Sequence, residues 1–234
     1  MKIGIIGAME VEVETLKGEL EDLNVTERSG MRFFEGRLAG ADVVVVQCGI
    51  GKVNAAMCAQ TLIGELHATH VVNTGVAGSL DDAIEIGDLV VSTDAIHHDF
   101  DLTPLGYERA QVPGLDCLTF KADDELRAAV VRAAHEVAPE IGVFEGRVAS
   151  GDQFVGDAET KAAIREAFGG LCCEMEGASI AHVCHRNGVP FVIVRAISDK
   201  ANGSSSVDYP TFEREAAHHC ASITARLVEI LAAR

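Results

Sequence analysis

The chain has 234 residues, 48% hydrophobic and 24% charged, which suits one globular α/β domain with a substantial core. Its 36 acidic residues against 19 basic ones give a formal net charge of −17. That balance argues against a nucleic-acid partner and against an anionic membrane surface.

The first residues, MKIGIIGAM, read as a short β-strand; they carry no basic region followed by an apolar run of signal-peptide type. Further strand-like runs follow at Met31–Leu38, Asp42–Gln47, His70–Asn73, Asp88–Ser92, Gly146–Ser150 and Phe191–Ile197. Helical periodicity marks Met9–Leu20, Lys52–Leu66, Asp123–Ala138, Asp157–Phe168, Glu176–Asn187 and Tyr209–Ala233. Strands nearly continuous in Val and Ile, alternating with helices, predict a twisted, largely parallel sheet covered by helices on both faces. Met31–Leu38 joins Asp42–Gln47 through Ala39-Gly40, a hairpin pattern, so the sheet is expected to be mixed. No linker or repeat divides residues 1–234, and Asn202–Ser206 reads as a mobile loop. Seven cysteines without a CxxC pair fit free thiols in a reduced, cytoplasmic protein.

Sheets of this kind bind ligands beyond the carboxyl ends of their strands, which directs attention to the strand–helix junctions. At the first, Glu12 shares a helical stripe with Leu16 and Leu20, while Glu10 and Glu14 fall elsewhere. At another, CCEMEG (residues 172–177) leads into a helix read as beginning at Glu176, so that Glu176 joins the apolar stripe of Ile180, Val183 and Cys184. On the last strand, Arg195 and Asp199 share a face with Phe191, Ile193 and Ile197; the two could simply pair with one another. Each acid alone is ambiguous: a helix dipole would account for Glu12, a cap for Glu176 and pairing with Arg195 for Asp199. Three at one sheet edge point to a site.

The glycine turns GIG (49–51) and GVAG (75–78) sit at the same edge, but neither completes a dinucleotide fingerprint or a P-loop. They are read as places where backbone approaches a small ligand. HHDFD (97–101) and the pair His182/His185 tempt a metal reading, yet lack a third ligand at a recognisable spacing.

Several segments together resemble the 5′-methylthioadenosine/S-adenosylhomocysteine nucleosidases of the nucleoside phosphorylase/hydrolase superfamily. They are IIGAMEVE (5–12), GIGKVNAA (49–56), NTGVAG (73–78), HD (98–99) with TPLGY (103–107), SGDQF (150–154), EMEGA (174–178) and RAISD (195–199). The resemblance runs nearly end to end. It implies a nucleoside phosphorylase-like fold, a homodimer, and hydrolysis of the adenine–ribose bond with no metal or organic cofactor. Adenine nucleosides would be the substrates: methylthioadenosine, S-adenosylhomocysteine and 5′-deoxyadenosine.

Carried onto matching positions, the family's roles make Glu12 the activator of water, Asp199 the general acid at N7 with Ser198 supporting it, and Glu176 the ligand of the ribose hydroxyls. Met175 would pack on the sugar, Phe154 on adenine, and backbone at Val155 would read the purine edge. Arg195 and Glu174 would complete the polar shell, or Glu174 would be only a structural partner of Arg195; Ile50 and Tyr209 would line the alkylthio side, and Met9, Val76 and Gly78 belong to the same binding set. The region from Ala95 to Pro113 would reach across the dimer, with Leu102 and Leu105 entering the partner's pocket. Two departures stand out: Val76 where relatives often carry Ser, and Tyr209 where Phe is common. A phosphorylase would need cations beside the anomeric carbon, where Glu12 would repel phosphate. A non-catalytic nucleoside-binding protein would be expected to have lost one of the acids.

Overall fold

The computed structural model describes residues 1–201 and 205–233, excepting the side chains between 202 and 211. Each strand-like run forms a strand: β1 (Lys2–Gly7), β3 (Met31–Leu38), β4 (Ala41–Gln47), β5 (His70–Ser79), β6 (Leu89–His97), β8 (Val143–Ser150) and β10 (Phe191–Asp199). The chain adds β2 (Glu21–Arg28), β7 (Phe120–Lys121) and β9 (Cys172–Glu174). Helices are α1 (Glu10–Gly18), α2 (Lys52–Gly64), α3 (Asp124–Val137), α4 (Ala158–Phe168), α5 (Gly177–Asn187) and α6 (Ser205–Ala232), with a 3-10 turn at Thr103–Leu105. Of the expected loop Asn202–Ser206, residues 202–204 lie outside the described residues.

The sheet is mixed. β4, β1, β5 and β10 run parallel side by side, while β3 returns antiparallel on β4 through the expected hairpin and β2 follows on β3. On the other side, β10 also pairs antiparallel with β6, β6 runs parallel to β8, and β8 parallel to β9. β9 then lies antiparallel on the last residues of β5. The strands β5, β9, β8, β6 and β10 therefore close on themselves as a small barrel, extended by an open wing of β1, β4, β3 and β2.

Both faces are covered, which is why every residue of β10 is buried. One face packs Ile3, Ile5, Val43, Val45 and Val192 against Val13 and Leu16 of α1, Leu126 and Val130 of α3, and Ala217 and Leu227 of α6. The opposite face packs Ile6, Val44, Val46, Val71 and Ile193 against Cys58 and Leu62 of α2 and Ile180 and Cys184 of α5. Each such fully buried aliphatic side chain contributes about 1.5–3 kcal/mol. Local chemistry sets the helix ends. Asp123 caps α3 by accepting from the Glu125 and Leu126 amides, and Asp157 caps α4 through the Thr160 amide. Gly169 and Gly188 close α4 and α5 in the left-handed conformation.

Among the described residues, no helix is long and apolar enough to cross a membrane.

Candidate active site

The acids singled out at the junctions meet. Glu12, Glu174, Glu176 and Asp199 line one cavity of about 400 Å³, together with Met9, Ile50, Val76, Gly78, Phe154, Met175 and Ser198. It opens at the carboxyl ends of β1, β4, β5 and β10, as doubly covered sheets dictate. A larger hollow of about 540 Å³ lies at the other end of those strands, beside Met1, Asp42, His70 and Asp123, remote from these acids.

Glu12 stands on the first turn of α1, 2% exposed, with its carboxylate held by backbone amides. One oxygen accepts from Ala8 N at 2.6 Å and Met9 N at 2.9 Å; the other accepts from Val76 N at 3.0 Å. A carboxylate offers about four lone-pair positions, so one remains facing the cavity. Burial raises its pKa above 4.5, against the lowering effects of Arg195 and the three amides.

Glycine 75 makes this approach possible. A β-carbon there would lie 2.8 Å from Glu12 Cδ and would also collide with the Arg195 guanidinium. Gly75→Ala is therefore expected to cost about 1–3 kcal/mol of stability by overpacking, measured by urea unfolding. Wild-type stability would contradict so tight a fit.

Glu176 does not begin the helix, as the sequence reading had it. It is the N-cap residue of α5, with φ −132° and ψ −42°, and the helix starts at Gly177. The reason is local: Glu174 captures the Glu176 amide at 3.1 Å and the Gly177 amide at 2.7 Å, occupying donors that a helix terminus leaves free. Glu176 thus turns toward the cavity and accepts from Gly51 N at 2.8 Å across the molecule. Burial, then the charge of Glu174, pushes its pKa up to about 7.

A raised folded-state pKa has a definite sign. The stability associated with neutral Glu176 is fully present below its unfolded value of 4.5 and is lost as pH rises through about 7. Relative to their difference at pH 4.5, Glu176→Gln should gain up to about 3 kcal/mol on the wild type by pH 8.5. Parallel urea-unfolding curves from pH 4.5 to 8.5 read this directly; a pH-independent difference would refute it.

Arg195 does not pair with Asp199, nor does it line the cavity. It is 1% exposed, beneath the site, with Nη2 bonded to Glu174 and to Asn73 Oδ1 at 2.5 Å, and 3.8 Å from Glu176. Glu174 in turn accepts from the Ser150 hydroxyl, whose oxygen accepts from Ala178 N at 2.7 Å. One cation is shared among the acids. The charge of Arg195 is correspondingly locked in, its pKa raised by Glu174, Glu176 and Glu12 against the opposing effect of burial.

Asp199 ends β10, where a register shift separates Ile197 from Asp199 on the β5 side. Such irregularities re-aim a side chain next to a site. Its Oδ1 accepts from Ala201 N at 2.8 Å, and the Ser198 hydroxyl reaches Oδ2 at 3.2 Å. A β-carbon at Gly78 would sit 3.1 Å from that Oδ1, so the glycine leaves the carboxyl its place.

Phe154, 55% exposed, lines the cavity, and Val155 is buried in a small core cluster with Ile96 and Ile164. Leu105 is 72% exposed and Leu102 partly so, away from this chain's own cavity. Tyr209 falls among residues whose side chains lie outside those described. Asp99 of the HHDFD run is taken up by Lys52 Nζ and the Asp152 amide, while His182 stacks on Phe120 at 4.8 Å. Sequence reasoning missed Ala8, Ala77 and Cys173 in the lining, and Asn73 and Ser150 beneath it. Asn73 and Ser150 begin the NTGVAG and SGDQF segments, so the signal was present but attached to their neighbours.

The model of the phosphorylase superfamily matches residues 2–229. A 5′-methylthioadenosine/S-adenosylhomocysteine nucleosidase of Bacillus thuringiensis subsp. konkukian is 42% identical over 232 residues, 99% of this chain and 100% of the relative. Among solved structures, the nucleosidase of the same description from Neisseria meningitidis, in complex with methylthio-immucillin-A, superposes with a TM-score of 0.94 at 39% identity, covering 98% of this chain and 99% of that one. Futalosine hydrolase of Helicobacter pylori superposes with a TM-score of 0.93 at 32% identity, covering 98% of each chain.

Proposed function

This chain belongs to the phosphorylase superfamily and, within it, to the 5′-methylthioadenosine/S-adenosylhomocysteine nucleosidases, and from that membership we propose how its own residues carry the reaction. It is an N-glycosyl hydrolase that splits methylthioadenosine and S-adenosylhomocysteine into adenine and the 5′-substituted ribose. The observation that carries the mechanistic reading is the convergence of Glu12, Glu176 and Asp199 on one cavity.

Adenine leaves poorly as an anion, and the sugar approaches an oxocarbenium ion as the bond breaks. Asp199 delivers a proton to N7, steadied by Ser198 and the Ala201 amide. Glu12 takes a proton from water through its remaining lone pair and directs the oxygen at the anomeric carbon. Glu176 binds the ribose hydroxyls, since one of its oxygens is held by Gly51 and the other is left for the sugar. Met175 packs on the sugar, Phe154 on the purine, and the Val155 backbone reads its edge. Ile50 and Tyr209 attend the 5′ substituent, and Met9 belongs to the same lining. Val76 offers no hydroxyl, and its amide already holds Glu12. Arg195 holds the acids in place from below, and Glu174, on the cavity wall, ties Arg195 to the amides of Glu176 and Gly177.

A homodimer completes the site in this reading, with Leu102 and Leu105 entering the partner's pocket. Its support is exposed apolar surface: Ile50 at 54% on the cavity lining, Val53 at 69% close by in sequence, and Leu105 at 72% on the segment that would cross to the partner.

The test is adenine release from methylthioadenosine, S-adenosylhomocysteine, 5′-deoxyadenosine and futalosine, the last scored by release of its own base. Release from the first two, with 5′-deoxyadenosine also cleaved, is expected. Tight nucleoside binding without cleavage would replace catalysis with storage, and cleavage of futalosine alone would move the chain to the hydrolase branch of that name.

A further inference from the structure

On the side of α5 away from the cavity, the loop that follows the 3-10 turn brings Asp116 and Cys117 to the helix's last turn. Cys117 Sγ lies 3.7 Å from His185 Nε2, and Asp116 Oδ1 lies 3.9 Å from the same nitrogen. One donor atom from each residue falls within 4.8 Å of the others, the one such trio of potential ligands among the described residues. Sulfur and nitrogen bound tetrahedrally to zinc, at about 2.3 and 2.1 Å, stand about 3.5 Å apart. The observed sulfur–nitrogen spacing of 3.7 Å is close to this, and the exposed Asp116 side chain, whose donor atom lies within 4.8 Å of the other two, would rotate inward to complete the set.

The frame is partly fixed. Cys117 is half-buried and, with Leu115, packs against the apolar face shared by α2 and α5. The His185 ring lies 5.7 Å from that of Phe120. It occupies the carboxyl-terminal turn of α5, where the helix dipole favours a cation. All seven cysteines are free, and Cys117 alone of them is not buried.

We propose that Asp116, Cys117 and His185 form a surface site for a divalent ion of the zinc class, separate from the catalytic cavity, with the fourth position open to water. Thiolate and imidazole select zinc or cobalt over magnesium and calcium, which require oxygen ligands. Binding replaces the Cys117 S–H proton with the ion and releases that proton to solvent.

Titrating the chelator-treated protein with Co²⁺ under anaerobic conditions tests the site. A thiolate-to-cobalt charge-transfer band with tetrahedral visible bands should saturate at one ion per chain and bleach on adding Zn²⁺. Cys117→Ser should abolish the charge-transfer band, and His185→Ala and Asp116→Asn should each weaken Co²⁺ binding by about tenfold or more. Adenine release by Cys117→Ser should match the wild type, which also shows that the variant is folded. Absence of a saturable band, its persistence in Cys117→Ser, or unchanged affinity in His185→Ala would overturn the assignment.

Discussion

Asp199→Asn is expected to lower kcat for adenine release by about 10²–10⁴-fold, the usual worth of a positioned general acid. Asparagine preserves the shape and can still accept from the Ala201 amide, so the bond that fixes Oδ1 at 2.8 Å survives. It has no acidic proton to pass to N7, and the loss falls on the transition state alone. KM should therefore move only a few-fold while kcat collapses. Asp199 is 2% exposed at the end of a wholly buried strand, so a melting temperature near that of the wild type separates chemistry from folding. A variant that turns over at close to the wild-type rate would remove Asp199 from the mechanism.

Glu12→Gln is expected to be as damaging to kcat, again about 10²–10⁴-fold, and for a reason that reaches into stability as well. Both carboxylate oxygens accept backbone amides: Ala8 and Met9 on one, Val76 on the other. Whichever way the glutamine amide turns, its NH₂ faces a buried N–H donor. Leaving such a donor unsatisfied costs about 1–3 kcal/mol, so this variant should melt earlier as well as work more slowly. The wild-type pH profile carries the matching signature. Burial lifts the Glu12 pKa above 4.5, and a protonated Glu12 cannot take a proton from water. The acid limb of kcat/KM should consequently fall at a pH above 4.5. Full activity in Glu12→Gln, or a flat profile down to pH 4, would exclude Glu12 as the base.

The sequence revealed the parallel strands, the hairpin and the helices because their signals are local. Unbroken Val and Ile in β4 and β10, and Asn187-Gly188 at the end of α5, need no partner to be read. β2 was invisible for the opposite reason: seven of its eight residues are exposed, and it is held by backbone pairing to β3 rather than by any apolar period. β9 is a strand of three residues, and closure of the barrel depends on its lying between β8 and β5, a long-range choice.

The site follows the same division. Glu12, Glu176 and Asp199 could be found as acids placed among apolar residues at strand–helix junctions. Whether Arg195 pairs with Glu174 or with Asp199, both open from the sequence, could not be decided, because β9 and β10 meet through β5. The role of Glu174 as the group that displaces the start of α5 was likewise hidden, since it rests on backbone amides that every sequence possesses.

The central claim is that water, activated at Glu12, attacks the sugar. Among the described residues no lysine or arginine lines the cavity, and Arg195, beneath it, is engaged with Glu174. A phosphate dianion would meet the Glu12 carboxylate with no counter-charge. The direct test follows adenine release from methylthioadenosine in phosphate-free buffer and again with millimolar phosphate, identifying the sugar product in each. Equal rates and free methylthioribose in both are the expected result; a phosphate requirement with methylthioribose 1-phosphate as product would contradict it.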